Sequence, residues 1–257
     1  MLFASPDNSK KITDIQQLLV HLKDNFDTAY LRGQAKLSWG ALPTIGRPDY
    51  KYCGKVLRQF SKEQERDLLH RFRRHTYPFN ERILSEWEAL FLARHHGLPV
   101  RLLDWTTNPL VALYWACRFT EADRVEDGAI WVFQRREIIK DNHVDVFSKK
   151  RRKPFAIKGI RLVFPFYPTQ RMVAQSGVFT IHSDPWIDLR VVRAHDLASC
   201  DNDIESGELL IVPHEVKQDL IVQLEQLAIN ERTLFPDLDG IARGLWETEV
   251  LRSKGAD

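Results

Sequence analysis

No run of eighteen apolar residues occurs in this chain, which argues against a membrane-spanning helix. The opening segment, MLFASPDNSKK, lacks the charged region followed by an apolar stretch that marks a secretory leader. Cysteine is scarce and scattered: Cys53, Cys117 and Cys200 form no CxxC pair. An odd count at such spacing argues against a disulfide framework and a thiolate zinc site, and a reducing, cytoplasmic compartment is expected. GxxxxGK[ST], GxGxxG, HExxH and GxSxG are all missing, which removes the common nucleotide-loop, zinc-protease and serine-hydrolase signatures. His95 and His96 are adjacent rather than four apart, so they do not share a helix face as a metal pair would, and no metal is expected. There is no internal repeat and no Gly/Ser-rich linker, so residues 1–257 read as one domain, with its core at about 28–245 and an N-terminal helix in 1–27.

What is present is an ordinary globular composition: 257 residues, 44% hydrophobic and 28% charged, with a net charge of +2. The distribution of that charge says more than its sum. Between Val146 and Ser183 there is no acidic residue, while Lys149, Lys150, Arg151, Arg152, Lys153, Lys158, Arg161 and Arg171 all fall there. Such a field attracts the phosphates of a nucleotide or of a nucleic acid; a solvated basic loop is the alternative.

Periodicity and capping signals divide the chain into helices at its two ends with strands between. Ile12–Phe26 has Ile15, Leu18, Leu19 and Leu22 on one face. A strand is expected at Ala29–Gly33 and a polar helix at Glu63–His75. A strong helix capped by Asn80 should end near Gly97 and Pro99. Arg101–Trp105 reads as extended, and Asn108 with Pro109 opens a further helix. Strands follow at Ala129–Phe133, Arg161–Phe166, Met172–His182 and Leu209–Val212, then helices at Val216–Ala228 and Pro236–Arg252. This order predicts an α+β fold in which helices flank a mixed or antiparallel sheet.

The chemistry concentrates in Arg94–Pro109, which holds two imidazoles, two guanidiniums, one carboxylate and two hydroxyls around a helix exit, a short strand and a helix start. The free N–H groups of that second helix start suit an anion. A purely structural reading makes His95 and His96 a helix end and pairs Asp104 with Arg101. Tyr30-Leu31-Arg32-Gly33-Gln34 places an arginine where a strand ends, suited to bidentate phosphate contact, beside a glycine that permits close backbone approach or positive φ. Its alternative is an arginine paired with a carboxylate at the edge of the core. In Arg171–Phe179, Gln175 offers a donor and an acceptor; an ordinary strand with a bulge at Gly177 is the other reading.

Together these segments resemble the FRG family, through the Tyr-x-Arg-Gly triplet at 30–33, the HHGLPVRLLDWT block at His95–Thr106 with the helix Leu110–Cys117 after it, the Gln175-x-Gly177-x-Phe179 strand and the segment Leu234–Gly240. Val100 stands where threonine is usual. More loosely, Arg32 and Thr106-Thr107-Asn108 are similar to the first two NAD-site elements of ADP-ribosyltransferases; the third element, a glutamate on a later strand, is replaced at Gln175-Ser176-Gly177, leaving Glu208 or Asp104 as substitutes. The resemblance implies an ADP-ribosyltransferase-like fold with NAD as substrate, held by Tyr30, Arg32, Gly33, His95, Arg101, Thr106 and Thr107. Asp104, His96 or Glu208 would act in catalysis, and Gln175, Lys149, Arg151 and Arg152 would meet a macromolecular acceptor, RNA before DNA. It also implies a toxin or anti-phage role with an antitoxin-type protein partner. Two other readings stand beside it: a nucleic-acid-binding module without chemistry, and an NAD-independent hydrolase or nuclease using His95, His96 and Asp104.

Overall fold

A computed structural model describes residues 3, 8–25, 29–47, 51–52, 55–56, 60–118, 125–135, 152–165, 169–192 and 204–253. Its strands are β1 (Lys10–Lys11), β2 (Ala29–Gln34), β3 (Lys51–Tyr52), β4 (Lys55–Val56), β5 (Leu102–Thr106), β6 (Gly128–Arg135), β7 (Ile160–Val163), β8 (Gly177–His182) and β9 (Ile204–Val212). Its helices are α1 (Ile15–Leu22), α2 (Lys62–His75), α3 (Tyr77–Asn80), α4 (Glu86–His95), α5 (Pro109–Cys117), α6 (Gln170–Ala174), α7 (Lys217–Gln226), α8 (Glu231–Leu234) and α9 (Leu238–Ser253). The fold is α+β. Seven strands form one mixed sheet in the order β1-β9-β6-β2-β5-β8-β7, and β3 and β4 form a separate hairpin. Only β1 runs parallel to its neighbour; every other pairing is antiparallel. Among the described residues no helix is long and apolar enough to cross a membrane.

Strand alternation sorts the core. On β2 and β6, Leu31, Ile130 and Val132 point to one face, where Val111 to Cys117 of α5 pack together with α1 and α7. Tyr30, Trp131 and Phe133 point to the other face and meet Leu103, Trp105 and Phe3. A third cluster joins Leu102, Phe179 and Ile181 to Leu69, Trp87, Leu90 and Phe91 of α2 and α4. The seam between the two halves of the sheet is thin. β2 pairs with β6 over six residues, but with β5 only at Leu31↔Thr106.

Capping explains the local starts and stops. Ser61 with Gln64 and Ser85 with Glu88 form reciprocal capping boxes for α2 and α4. Ser85, not Asn80, therefore opens α4; Asn80 closes the short α3 and donates to the Thr76 carbonyl. Gly97, at φ +80°, ends α4 in a Schellman arrangement, with Leu98 N–H donating to Ala93 O and Gly97 N–H to Arg94 O. The single strand expected over Met172–His182 is instead a short helix, a turn and a strand. Thr169 Oγ1 caps α6 by accepting from Met172 N–H, and Ser176, at φ +47°, turns the chain into β8. Likewise α1 begins after its Asp14 cap, and Ile12 before it is buried extended chain.

Candidate functional site

A cleft of about 260 Å³ opens where β2 and β5 part. Leu31–Gly33 of β2, Asp104–Thr106 of β5, the exit of α4 and Val111 with Trp115 of α5 form its walls, together with Arg171, Met172, Gln175 and the start of β8. Gly33 is required here for space rather than for positive φ. A Cβ on it would lie 1.8 Å from the Ala112 carbonyl oxygen and 2.7 Å from Trp115 Cβ. The glycine thus seats α5 against β2 and puts Trp115 beside Arg32.

Asp104 is the one carboxylate among the cleft-lining residues, against three guanidiniums, those of Arg32, Arg94 and Arg171. Arg94 Nε lies 3.0 Å from both carboxylate oxygens, and its Nη2 makes a closer contact still. Arg32 Nη1 reaches across the seam, donating to the Asp104 carbonyl at 3.0 Å and lying 3.6 Å from Oδ2. Burial alone would raise the Asp104 carboxyl, but Arg94 and then Arg32 outweigh it and hold it below the usual range. Its side chain stays 38% exposed, facing the cleft as a carboxylate. Burial and the nearby Arg47 push Arg32 down to about 9, with Asp104 opposing, so the guanidinium stays charged at neutral pH. Arg32 Nε is buried and has no hydrogen-bond partner among the described residues. Such a donor is stable only if something else accepts from it.

The sequence-predicted residues do not all gather here. His95 lines the cleft with its Nδ1 3.3 Å from Thr169 Oγ1, and burial, His96 and Arg171 lower its pKa. His96 is exposed and packs edge-on against His95, outside the lining. Thr106 lines the cleft, but its hydroxyl donates to Gln175 O at 2.7 Å and accepts from Asn108 N–H, so it pins the β5–α5 turn. Thr107 is exposed and is tied through its backbone to Ser176. Gln175 lines the cleft from the end of α6, not from a strand, and donates to Leu234 O. Tyr30 is a core residue whose ring stacks on Phe133.

Two assignments are corrected outright. Arg101 is fully enclosed and grips Glu65 of α2 through Nε and Nη2, while Nη1 donates to the carbonyls of His182 and Ser183. It cannot reach a ligand in the cleft. Neither does it pair with Asp104, which the structural reading supposed. Glu208 lies on β9, two strands from β2, bonded to His21 at 2.8 Å, and so is no substitute for a catalytic glutamate. Arg152 is exposed, its carbonyl accepting from Trp87 Nε1; Lys149 and Arg151 lie outside the described residues. Val100 is buried in the third cluster, so the position that departs from the usual threonine faces core. Among the described residues, Asp127, His214 and Glu215 are grouped closely enough to hold a metal, and none of them lines the cleft.

Two contributors were given no role from sequence: Arg171, which opens the Arg171–Phe179 segment of the acid-free stretch, and Trp115, which lies within the helix Leu110–Cys117. The available signal for Arg171 was its place four residues before Gln175 of the FRG-like Gln175-x-Gly177-x-Phe179 segment, close enough to enter any site that segment lines.

The fold and the cleft define an α+β protein with a charged concavity built at a sheet seam from the arginine of β2 and the α4–β5–α5 unit. Residues 27–125, which contain all of these elements, match the family model of the FRG domain. No curated protein and no solved structure matches the chain.

Proposed function

We propose that the cleft binds NAD and that the protein transfers ADP-ribose from it to a macromolecular acceptor, RNA being the first candidate. The observation that carries this reading is the excess of guanidinium over carboxylate around one concavity, with a buried, unsatisfied donor on Arg32. Arginine is the side chain suited to a pyrophosphate, which it can meet through two parallel N–H groups. Small-molecule clefts usually span about 300–1,000 Å³. At about 260 Å³ the cleft takes one half of a dinucleotide and leaves the other at its mouth.

In the transfer the bond between C1′ of the nicotinamide ribose and the nicotinamide nitrogen breaks. Nicotinamide leaves with the electron pair, and an acceptor oxygen or nitrogen bonds to C1′ and releases its proton. Positive charge develops on the ribose as this happens. Asp104, kept ionised by Arg94 and Arg32, is the anion placed to stabilise it. A non-catalytic phosphate-binding module is the second reading, favoured by how fully the Asp104 carboxylate is occupied by guanidinium contacts.

The test uses purified protein with NAD labelled in the adenylate, offered RNA, DNA and lysate, while label transfer and free nicotinamide are followed. Label on a macromolecule in the wild type, lost in Arg32→Ala and Asp104→Asn, is the expected result. Saturable NAD binding with neither transfer nor nicotinamide release selects the binding module. Transfer that persists in Arg32→Ala removes that arginine from the site.

A further inference from the structure

We propose that Arg171 reads the phosphate of the ligand, and that the cleft selects a group carrying two negative charges, a pyrophosphate or a terminal phosphomonoester, over a singly charged phosphodiester. The inference rests on the reading of the cleft as a site for a phosphorylated ligand and adds to it the charge of the group and the residue that recognises it.

The argument begins with charge. Of the three guanidiniums lining the cleft, that of Arg94 is matched by Asp104. Arg32 gives one N–H to a backbone carbonyl and keeps a buried Nε without a partner. Among the described residues the Arg171 guanidinium has no hydrogen-bond acceptor and no carboxylate in ion-pair contact; it lies over the Phe235 ring, 4.3 Å from its centroid. Glu231, nearby, is paired with Arg118 and Arg243 and accepts from Tyr114; Asp237 accepts from Gly240 N–H and keeps its charge, and both act on Arg171 from outside the cleft lining. Within the lining, three guanidiniums face one carboxylate, an excess of two positive charges that a doubly charged anion balances.

The Arg171 Cζ lies 4.3 Å from the Phe235 centroid. Contact with a ring consumes none of the guanidinium N–H groups, so they stay available for two parallel bonds to phosphate oxygens. The base is also held. Arg171 sits in the first turn of α6, whose cap Thr169 lies within 3.3 Å of His95 and whose end residue Gln175 is bonded to Leu234. Arg171 lies outside residues 27–125, so the family match does not supply it.

Isothermal titration of the full chain at pH 8 with ADP-ribose, AMP and cyclic AMP tests the selection, the first two probes carrying two charges and the last one. The expected result is binding of ADP-ribose and AMP at least about tenfold tighter than cyclic AMP, with a loss of about tenfold or more in Arg171→Gln and partial recovery in Arg171→Lys. Equal affinity for AMP and cyclic AMP overturns the proposal. So does an Arg171→Gln variant with unchanged affinity, or the failure of all three probes to bind. ADP-ribose binding that depends on Arg171 without any transfer from NAD leaves this inference standing and removes the transferase reading; transfer from NAD that survives Arg171→Gln does the reverse.

Discussion

Replacing Arg101 with methionine leaves the Glu65 carboxylate, 1% exposed, without its guanidinium partner and with the residue-101 backbone N–H as its remaining donor from that residue. Burial already raises the Glu65 carboxyl even with Arg101 beside it. Without that arginine the cheapest response is for Glu65 to take up a proton. From its ordinary value of 4.5, protonation at pH 7 spans 2.5 units and costs at most about 3.4 kcal/mol at about 1.36 kcal/mol per unit, part of which the raised wild-type carboxyl already bears. The two lost bonds to the carbonyls of His182 and Ser183 add roughly 1 kcal/mol. The sum, at most about 4 kcal/mol, is a large share of a typical stability of about 5–15 kcal/mol. Urea unfolding followed by tryptophan fluorescence measures it. The pH dependence separates this cause from simple loss of packing. In the variant the folded-state pKa of Glu65 lies above that of the wild type, itself already raised by burial, so the penalty relative to wild type is small at acid pH and grows by up to about 1.4 kcal/mol per unit once the pH passes the wild-type folded value. Glu65→Leu combined with Arg101→Met restores most of the stability, since a buried pair exchanged for apolar residues is close to neutral. A penalty below about 1 kcal/mol that does not vary with pH, or a stably folded Arg101→Met that has lost cleft binding, refutes the structural role.

Gly33→Ala drives a methyl group into the Ala112 carbonyl and displaces α5; overpacking of this kind costs about 1–3 kcal/mol, read as a fall in Tm of about 2–4 °C for each kcal/mol. An unchanged Tm contradicts the close approach of the two elements. Glu208→Gln removes a part-exposed pair with His21 and changes stability by less than about 1 kcal/mol, with ADP-ribose affinity unaltered in the same titration. A loss of affinity there returns Glu208 to the site.

Much of the architecture was legible because short-range chemistry dictates it. Asn108 followed by Pro109, and Gly97 followed by Pro99, fix one helix start and one helix stop with little help from the rest of the chain. The α+β order, β2, β5, α5 and α9 follow from pattern. The misreadings occurred where tertiary contact decides. Arg94 and Arg101 stand seven residues apart in one dense motif, and sequence does not say which faces solvent and which faces α2. Glu65 looks like any acid on a helix rich in charge, yet α2 turns it inward to close over Arg101. Met172 and Val173 suit a strand as well as a helix, and the capping hydroxyl of Thr169 with the turn at Ser176 settles the matter locally. The edge strand Lys10–Lys11 has no apolar alternation, since both side chains are exposed. It is held by pairing with β9 and by the contact of Lys10 Nζ with His21 Nδ1 at 3.1 Å.

The single Leu31↔Thr106 pair gives the sheet an uneven stiffness. Each half, β1-β9-β6-β2 and β5-β8-β7, is a continuous ladder, and the join between them is one residue pair reinforced by the side chain of Arg32 on the Asp104 carbonyl. Mechanical compliance therefore collects along that line, as in two panels joined at one point. A ligand bridging Arg32 on one panel and Arg94 or Arg171 on the other acts as a splint. Its binding energy is then coupled to the angle between the panels, so ligands too short to span the line fill the cleft without stiffening the molecule.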